Sequence, residues 1–402
     1  MDLLCVAKVF AQKEAKFIGT KHIWQAKAFA TINNSSDMRF FINGYYGFSN
    51  LGDEALLWTL LRALQFHAGG TSEFLIRSGK MLPLPEELSG ACRLIDNKLF
   101  PLLKAAAEAD LTIFGGGSQF QDHGHLSSLR YFIKPWLLAI AARHVSAIGV
   151  SIGPLGTVPG KFLAHGLLRR MDSVLTRDID SFNSAHQIDC KVLNASDICF
   201  ADYLQWTVPR ALPEQSCLGI SLLPWALLLH KSKIADHAWL SVWADALHKL
   251  AQSHPELGFL GAPFQRDVDN SVIERVFIKI GNDRCREATL NQGPEHALSE
   301  LSGCSHFVAM RFHALVFAVL LGKPTLILDY HPKVRLLAEE LGFPPQAILS
   351  PAQWLDQEHV ATSLEGLINQ PENYLPTADI QSLRLRTRQQ LDFAVSQCLK
   401  KV

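Results

Sequence analysis

Short apolar runs recur along this chain, each cut off by glycine, proline or charge, and most lead into a longer stretch with helical spacing. Runs that stay apolar on successive positions fit strands buried on both faces of a parallel sheet. The first is Arg39-Phe40-Phe41-Ile42-Asn43, followed by an apolar helix from about Ala55 to Phe66. The next is Asp110 to Phe114. A helix carrying Tyr131, Trp136, Leu137 and Ile140 follows it, kinked or restarted near Pro135. Val145 to Val150 and Ser173 to Thr176 read as further strands. Cys217 to Leu222 opens a second series: a helix from about Ile234 to Gln252, a strand from Leu257 to Ala262, a short helix over Glu295 to Leu301 and a strand around Phe307. Ser271 to Gln292 follows neither period cleanly.

Strands alternating with helices in both halves predict an α/β fold of two Rossmann-like domains facing each other across a cleft. The link falls near Tyr203 to Gln215, where Pro209 and Pro213 sit. The first domain then covers 38–208 and the second 215–379. A last helix, within 380–402, is expected to pack back on the first half. Residues 1–37 stand apart. Lys8, Lys13, Lys16, Lys21 and Lys27 punctuate apolar residues such as Phe10, Phe17 and Trp24. The segment is too broken for a secretory signal. It reads as an extension, poorly ordered or upstream of the true domain, or else as a basic amphipathic segment resting on a membrane.

Two stretches near the C-terminal end carry most of the chemistry. His306-Phe-Val-Ala-Met-Arg-Phe-His-Ala-Leu315 and Thr325-Leu-Ile-Leu-Asp-Tyr-His-Pro-Lys333 each read as a buried strand ending in basic and proton-transferring side chains. An apolar helix from Ala314 to Leu321, closed by Gly322, lies between them. Such a unit makes a right-handed parallel crossover, so both strands end on one edge of the sheet, where open α/β sheets bind ligands. Arg311, His313, Tyr330 and Lys333 should therefore converge on one pocket suited to a small, multiply charged anion. Residues i and i+2 point the same way only in extended chain, so Arg311 and His313 act together if the helix starts just after them. Taken singly, Arg311 would be a helix-end surface charge and His313 a satisfied core histidine.

The first half repeats the device. The loop Gly44-Tyr-Tyr-Gly-Phe-Ser-Asn-Leu-Gly-Asp-Glu54 joins the first strand to its helix. Its glycines let backbone approach a ligand. Asp53 and Glu54 complement the helix dipole and so disfavour a phosphate there. The loop, with Asn50 and Asp53, reads as a sugar or water site or a structural cap. It is neither a Walker loop nor a dinucleotide fingerprint. Gly115-Gly116-Gly117 after the second strand brings backbone close to either a ligand or a packed helix. Arg177 is another cation at a strand end, or else a salt-bridge partner of Asp178 or Asp180.

Composition narrows the class. The 402 residues are 48% hydrophobic and 19% charged, with a formal net charge of zero. That fits an α/β enzyme and leaves no electrostatic footprint for nucleic acid. The eight cysteines are scattered, without CxxC pairs or zinc spacing. Scattered thiols fit a reducing cytoplasm, and an amphipathic N-terminal segment would set the protein at the inner face of the membrane. No apolar run reaches the ~20 residues that span a bilayer. The carboxylates do not cluster at ligand spacing, so no metal is expected.

The motifs Gly44 to Ala55, Gly115 to Asp122, Ile152-Gly-Pro154, Arg177-Asp178, Met310-Arg-Phe-His-Ala314 and Tyr330-His-Pro-Lys333 resemble, in order, those of the polysaccharide pyruvyl transferases. The resemblance is to the bacterial cell-wall branch (the CsaB type) and runs from about Met38 to about Gly342. It implies a fold similar to GT-B glycosyltransferases. It also implies transfer of a pyruvyl group from phosphoenolpyruvate to two hydroxyls of a sugar, giving a cyclic ketal and phosphate. The implied acceptor is an amino sugar that is lipid-linked or polymer-linked, and no cofactor is implied beyond the donor substrate. By resemblance Arg177, Arg311, His313 and Lys333 serve the site; from their places in the pocket and the two glycine loops, Tyr330, Asn50, Asp53, Gly116 and Gly117 are expected as further substrate contacts. The chemistry agrees. Arg grips carboxylate or phosphate bidentately, Lys adds a point charge, and His313 can give and take protons near neutrality. Two positions depart from the family pattern. Leu223 stands where an Arg often precedes Pro-Trp, and His331 stands where an acid often lies between Tyr and Pro. Two other classes fit the same fold: a nucleotide-sugar glycosyltransferase, and a non-catalytic descendant that binds glycans or anions.

Overall fold

The computed structural model describes residues 37–80, 82–122, 129–188, 191–206, 216–225 and 233–402. The N-terminal extension, apart from Asp37, lies outside the described residues, as do Pro209 and Pro213.

Seven parallel strands form the first sheet: β1 (Met38–Asn43), β2 (Ser72–Ser78), β3 (Cys92–Asp96), β4 (Leu111–Phe120), β5 (Val145–Ile152), β6 (Val174–Thr176) and β7 (Val192–Asn194). Their order is β3-β2-β1-β4-β5-β6-β7. Six more form a second parallel sheet: β8 (Cys217–Ser221), β9 (Gly258–Gly261), β10 (Cys285–Glu287), β11 (His306–Ala309), β12 (Thr325–Leu328) and β13 (Ile348–Leu349). Their order is β10-β9-β8-β11-β12-β13. Both orders reverse after the third strand of the row, between β1 and β4 and between β8 and β11. The chain is thus α/β with two Rossmann-like sheets.

The apolar runs are explained by burial on both faces. In β1, Phe40 and Ile42 pack into one core cluster and Phe41 into another, all fully buried. Leu75 and Phe114 side with Phe41, while Phe74, Ile76 and Ile113 side with Phe40. Each such side chain contributes about 1.5–3 kcal/mol. The larger cluster runs from the first sheet through the helix Leu51–Ala68 into the second sheet, so the two halves share apolar surface.

Several elements differ from the sequence reading. β2, β3, β7 and β13 are short or carry charge, and their alternation is weak. β4 runs on through the triple glycine to Phe120, because β5 pairs with it as far as Phe120↔Ile152. The unassigned stretch holds most of the helix Arg266–Ile280 and β10. The helix expected from about Ala55 starts at Leu51, capped by Asn50. The last helix, Ile380–Leu399, lies on the first half: Asp392 accepts from Tyr203 Oη at 2.6 Å, and Cys398 Sγ lies 3.2 Å from Ser146 Oγ. Among the described residues, no helix is long and apolar enough to cross a membrane.

Among the described residues, the two halves meet backbone to backbone at one point. Leu51 N donates to Phe264 O at 2.9 Å and Arg266 N to Ser49 O at 3.2 Å, around a β-bridge between Asn50 and Gln265.

Candidate active site

The strand ends of the two sheets face each other across this bridge, and both order reversals lie there. Ligands of open α/β sheets bind at such points. Arg177 leaves β6, Asp197 lies beyond β7, Arg311 leaves β11 and Lys333 lies beyond β12.

Arg177 is 5% exposed, and three of its nitrogens are held. Nε donates to Ser151 Oγ at 2.7 Å, Nη1 to Asp197 Oδ2 at 3.3 Å and Nη2 to Ser118 Oγ at 3.4 Å. Its acid is therefore Asp197, rather than Asp178 or Asp180. Asp178 caps the helix Ile179–His186, accepting from Ser181 N at 2.8 Å.

Asp197 is fully buried and also faces the second domain: His313 Nε2 lies 3.6 Å from its Oδ2. Burial pushes this carboxyl up. His313 and the Arg177 guanidinium more than offset that, holding it well below the usual carboxylate range. The other edge of the imidazole rests on the loop after β1. A Cβ placed on Gly52 would lie 1.9 Å from His313 Nδ1. So the imidazole is held between Asp197 and the start of the helix Leu51–Ala68.

Asp53, in that helix's first turn, completes the group. Asn50 Nδ2 donates to its Oδ2 at 2.6 Å. Burial pushes the Asp53 carboxyl up, while the charges of His313, Arg177 and Lys333 pull it down. Gly117 backs it, since a Cβ there would meet Asp53 Oδ1 at 3.1 Å. Gly116 faces away from this group: its Cβ would strike Leu56 at 2.8 Å. Its neighbour Gly115 takes the Tyr46 Oη hydrogen bond at 2.6 Å. Of the two readings of the triple glycine, the packed helix holds for Gly116.

Lys333 and Arg177 share one aromatic surface. Arg177 Cζ lies 4.7 Å and Lys333 Nζ 5.7 Å from the Phe312 ring centre, both within cation–π range. The Lys333 ammonium makes no hydrogen bond or ion pair among the described residues. Burial and the Arg177 charge lower its ammonium to about 8. Asp53 and Asp197 pull it up, and Arg311 adds to the lowering. Tyr330, half-buried, is pushed up chiefly by burial, with Arg311, Asp269 and Arg177 acting on it.

Arg311 is engaged elsewhere. Its Nε donates to Asp269 Oδ2 at 3.0 Å and its Nη2 to Asp269 Oδ1. Asp269 is fully buried in the first turn of the helix Arg266–Ile280. The helix after β11 starts at Phe312, with Arg311 as its extended N-cap residue (φ −69°, ψ 141°). The extended chain expected through His313 therefore ends at Arg311. Arg311 turns to its own domain and His313 to the other. The cleft thus holds Arg177, Arg311 and Lys333 against Asp53, Asp197 and Asp269, a more balanced set than the sequence suggests.

Sequence reasoning missed four of these residues. Asp197 follows a weak strand, β7. Asp269 lies in the stretch without clear period. Phe312 is the middle residue of the Arg-Phe-His motif, and Gly52 is part of the loop motif. A glycine in a helix's first turn, where most residues serve better, was the available signal. The two departures have structural accounts. Leu223 is fully buried in the core. His331 caps the helix Pro332–Glu340, its Nδ1 accepting from Lys333 N at 3.3 Å. Capping is what an acid at that position would also do.

Asp197, Cys199 and His313 bring ligand-type atoms within 4.8 Å of one another. Burial and Asp197 hold the Cys199 thiol well above the ordinary value.

The fold is similar to UDP-GlcNAc 2-epimerase from Neisseria meningitidis bound to UDP-GlcNAc (TM-score 0.55, 13% identity, 90% of this chain and 100% of that one). It is also similar to a putative UDP-N-acetylglucosamine 2-epimerase from Listeria monocytogenes (TM-score 0.60, 10% identity, 91% and 98%). A third likeness is to Anabaena HepE in complex with UDP-glucose (TM-score 0.52, 12% identity, 91% and 100%). These likenesses establish a GT-B-like fold. No curated protein sequence matches this chain. The family model for polysaccharide pyruvyl transferase matches residues 50–332, from the Asn50 cap to the helix start before Lys333. The chain therefore belongs to the polysaccharide pyruvyl transferase family.

Proposed function

We propose that the cleft binds phosphoenolpyruvate and passes its pyruvyl group to two hydroxyls of a sugar, as a cyclic ketal. The acceptor we infer is a sugar of a cell-surface polysaccharide or of its lipid-linked precursor. The observation that carries this reading is the shared Phe312 surface under Arg177 and Lys333, with His313 beside it on Asp197. Beyond that ring the Lys333 ammonium has no hydrogen-bond or acidic partner among the described residues, so its charge is available to an anion. Arg177 and Arg311 flank it and add to the field acting on it.

Phosphoenolpyruvate is protonated at its methylene carbon, and its central carbon becomes cationic. One sugar hydroxyl adds there and loses its proton. A second hydroxyl attacks the same carbon, loses its proton, and phosphate leaves with the bonding pair. The ketal and phosphate account for all atoms. His313 is the group we assign to these proton transfers, because its Nε2 is buried, faces the cleft's acid and lacks a hydrogen bond among the described residues. Asp197 is a positioning residue for it. Asp53, held by Asn50, is suited to hydrogen-bond a sugar hydroxyl. No cofactor or metal enters this scheme.

Fold alone does not decide function, and two of the structural relatives named above are in complex with UDP-sugars. A thermal-shift titration separates the readings. Phosphoenolpyruvate should raise the melting temperature and UDP-GlcNAc should not. Incubation with phosphoenolpyruvate and a panel of lipid-linked or p-nitrophenyl sugars should then release phosphate. Stabilisation by UDP-GlcNAc alone would point to the glycosyltransferase reading. Donor binding without phosphate release from any acceptor would point to a non-catalytic descendant.

A further inference from the structure

A cavity opens beside the Asn50–Gln265 bridge, between Leu51 and Glu54 of the first half and Phe264 and Arg266 of the second. Its volume is about 590 Å³, within the range of small-molecule sites. It is walled by residues that follow β2, β9 and β10, whereas the cation cleft is walled by residues after β6, β11 and β12. None of Arg177, Arg311, His313 or Lys333 lines it.

Two polar groups in this wall lack partners. Glu54 is 5% exposed, and its carboxyl makes no hydrogen bond or ion pair among the described residues. Asn270 Oδ1 is buried and likewise unpartnered. A buried polar atom without a partner is costly, so Asn270 Oδ1, with the Glu54 carboxyl opening on the same cavity, points to a ligand that meets both. Burial, and then the Asp53 charge, push the Glu54 carboxyl up to about 8. Near neutrality it can therefore donate a hydrogen bond, while Asn270 Oδ1 accepts one.

The rest of the wall selects the ligand class. Its other charges are Asp267, which has Lys80 Nζ at 3.7 Å, Glu274 and Arg266, a set with no cationic surplus to hold a phosphate or nucleotide. Arg266 is also drawn to Glu287 at 3.7 Å. Pro263 and Phe264 supply apolar surface for the C–H face of a ring. A neutral ligand with many hydroxyls fits donor, acceptor and apolar wall together.

We propose that this cavity is a carbohydrate subsite, holding an uncharged sugar unit through Glu54 and Asn270. That the ligand is a neutral sugar follows from the wall itself. That it is a unit of the acceptor glycan, next to the unit that reacts, rests on the pyruvyl-transfer reading.

Saturation-transfer NMR on the full chain tests it, with methyl mannoside, methyl galactoside and methyl N-acetylglucosaminide as probes. At least one probe should receive saturation from the wild type and from Glu54→Gln, which keeps a donor. The effect should fall at least about fivefold in Glu54→Leu and in Asn270→Ala. If Glu54→Leu does not fold, Asn270→Ala, on a partly exposed helix face, carries the comparison. No saturation on any probe, or undiminished saturation in the folded variants, overturns the subsite. The phosphoenolpyruvate thermal shift, run on the same proteins, reads the cation cleft separately. A shift without sugar contact sinks the subsite and spares the reaction. Glu54-dependent sugar contact without a shift supports the subsite and sinks the reaction.

Discussion

His313 Nε2 and Asp197 Oδ2 stand 3.6 Å apart although they belong to different sheets, one at the start of the helix after β11 and the other just beyond β7. The pair exists only when the two halves are closed on each other. Asp197 Oδ2 also holds Arg177 at 3.3 Å, so one carboxylate aligns both a candidate proton carrier and a candidate anion contact.

Replacing His313 with Ala should therefore separate binding from turnover. Lys333 and Arg177 keep their places on Phe312, so phosphoenolpyruvate should still raise the melting temperature. Loss of the proton carrier should cut phosphate release roughly 10²-fold or more. Normal turnover by His313→Ala would remove this residue from the chemistry.

Gly52 offers a test that removes no functional side chain. A methyl group there would sit 1.9 Å from His313 Nδ1, so the imidazole must move. Within the helix the same change from Gly to Ala is favourable by up to about 1 kcal/mol. Gly52→Ala should melt close to the wild type and yet lose turnover roughly as His313→Ala does, about 10²-fold. A fully active Gly52→Ala protein would show that the ring's position against this helix is unimportant.

Which parts of this site were legible beforehand has a physical logic. Arg177, His313 and Lys333 follow apolar strands buried on both faces, and such strands announce themselves in sequence. Asp197 follows β7, whose three residues are only half-buried, so nothing marks its end. Asp269 lies in a helix whose polar first turn hides its period. The pairing of Arg311 with Asp269 could not be read at all, because it depends on the angle at which the chain leaves β11. The triple glycine was legible as a close approach. Whether a ligand or Leu56 fills the space is decided only by where the helix Leu51–Ala68 lies.

Lys333 gives a pH dependence with a definite sign. Its ammonium titrates at about 8 in the free protein, below the ordinary value of 10.5. Between these values the unfolded chain binds the extra proton, so this group makes stability rise with pH across that window. Below pH 8 the charged ammonium costs stability. Lys333→Met should therefore melt higher than the wild type at pH 7, and the gap should close as pH rises above 8. Binding of an anion pulls the proton back onto Lys333. Phosphoenolpyruvate, fully ionised by pH 8.5, should then bind with net proton uptake, measured as a dependence of calorimetric enthalpy on the buffer. Lys333→Met should bind without uptake. An enthalpy independent of buffer in the wild type would mean that Lys333 does not meet the donor.

Asp197 gives the opposite dependence. Its folded pKa lies below the unfolded value of about 3.9, so its contribution is fully present above that pH and is lost as pH falls below it. Asp197→Asn leaves the Arg177 guanidinium buried without its counter-charge, a cost of about 3–5 kcal/mol for a broken buried pair. At pH 6–7 the variant should melt well below the wild type. As pH falls below about 4 the wild type begins to lose what the variant never had, and the two melting temperatures should approach each other. Thermal unfolding followed from pH 6 to pH 3 measures the gap. A gap that stays constant over that range would mean that Asp197 is not held ionised by His313 and Arg177, and the aligned pair in the cleft would have to be abandoned.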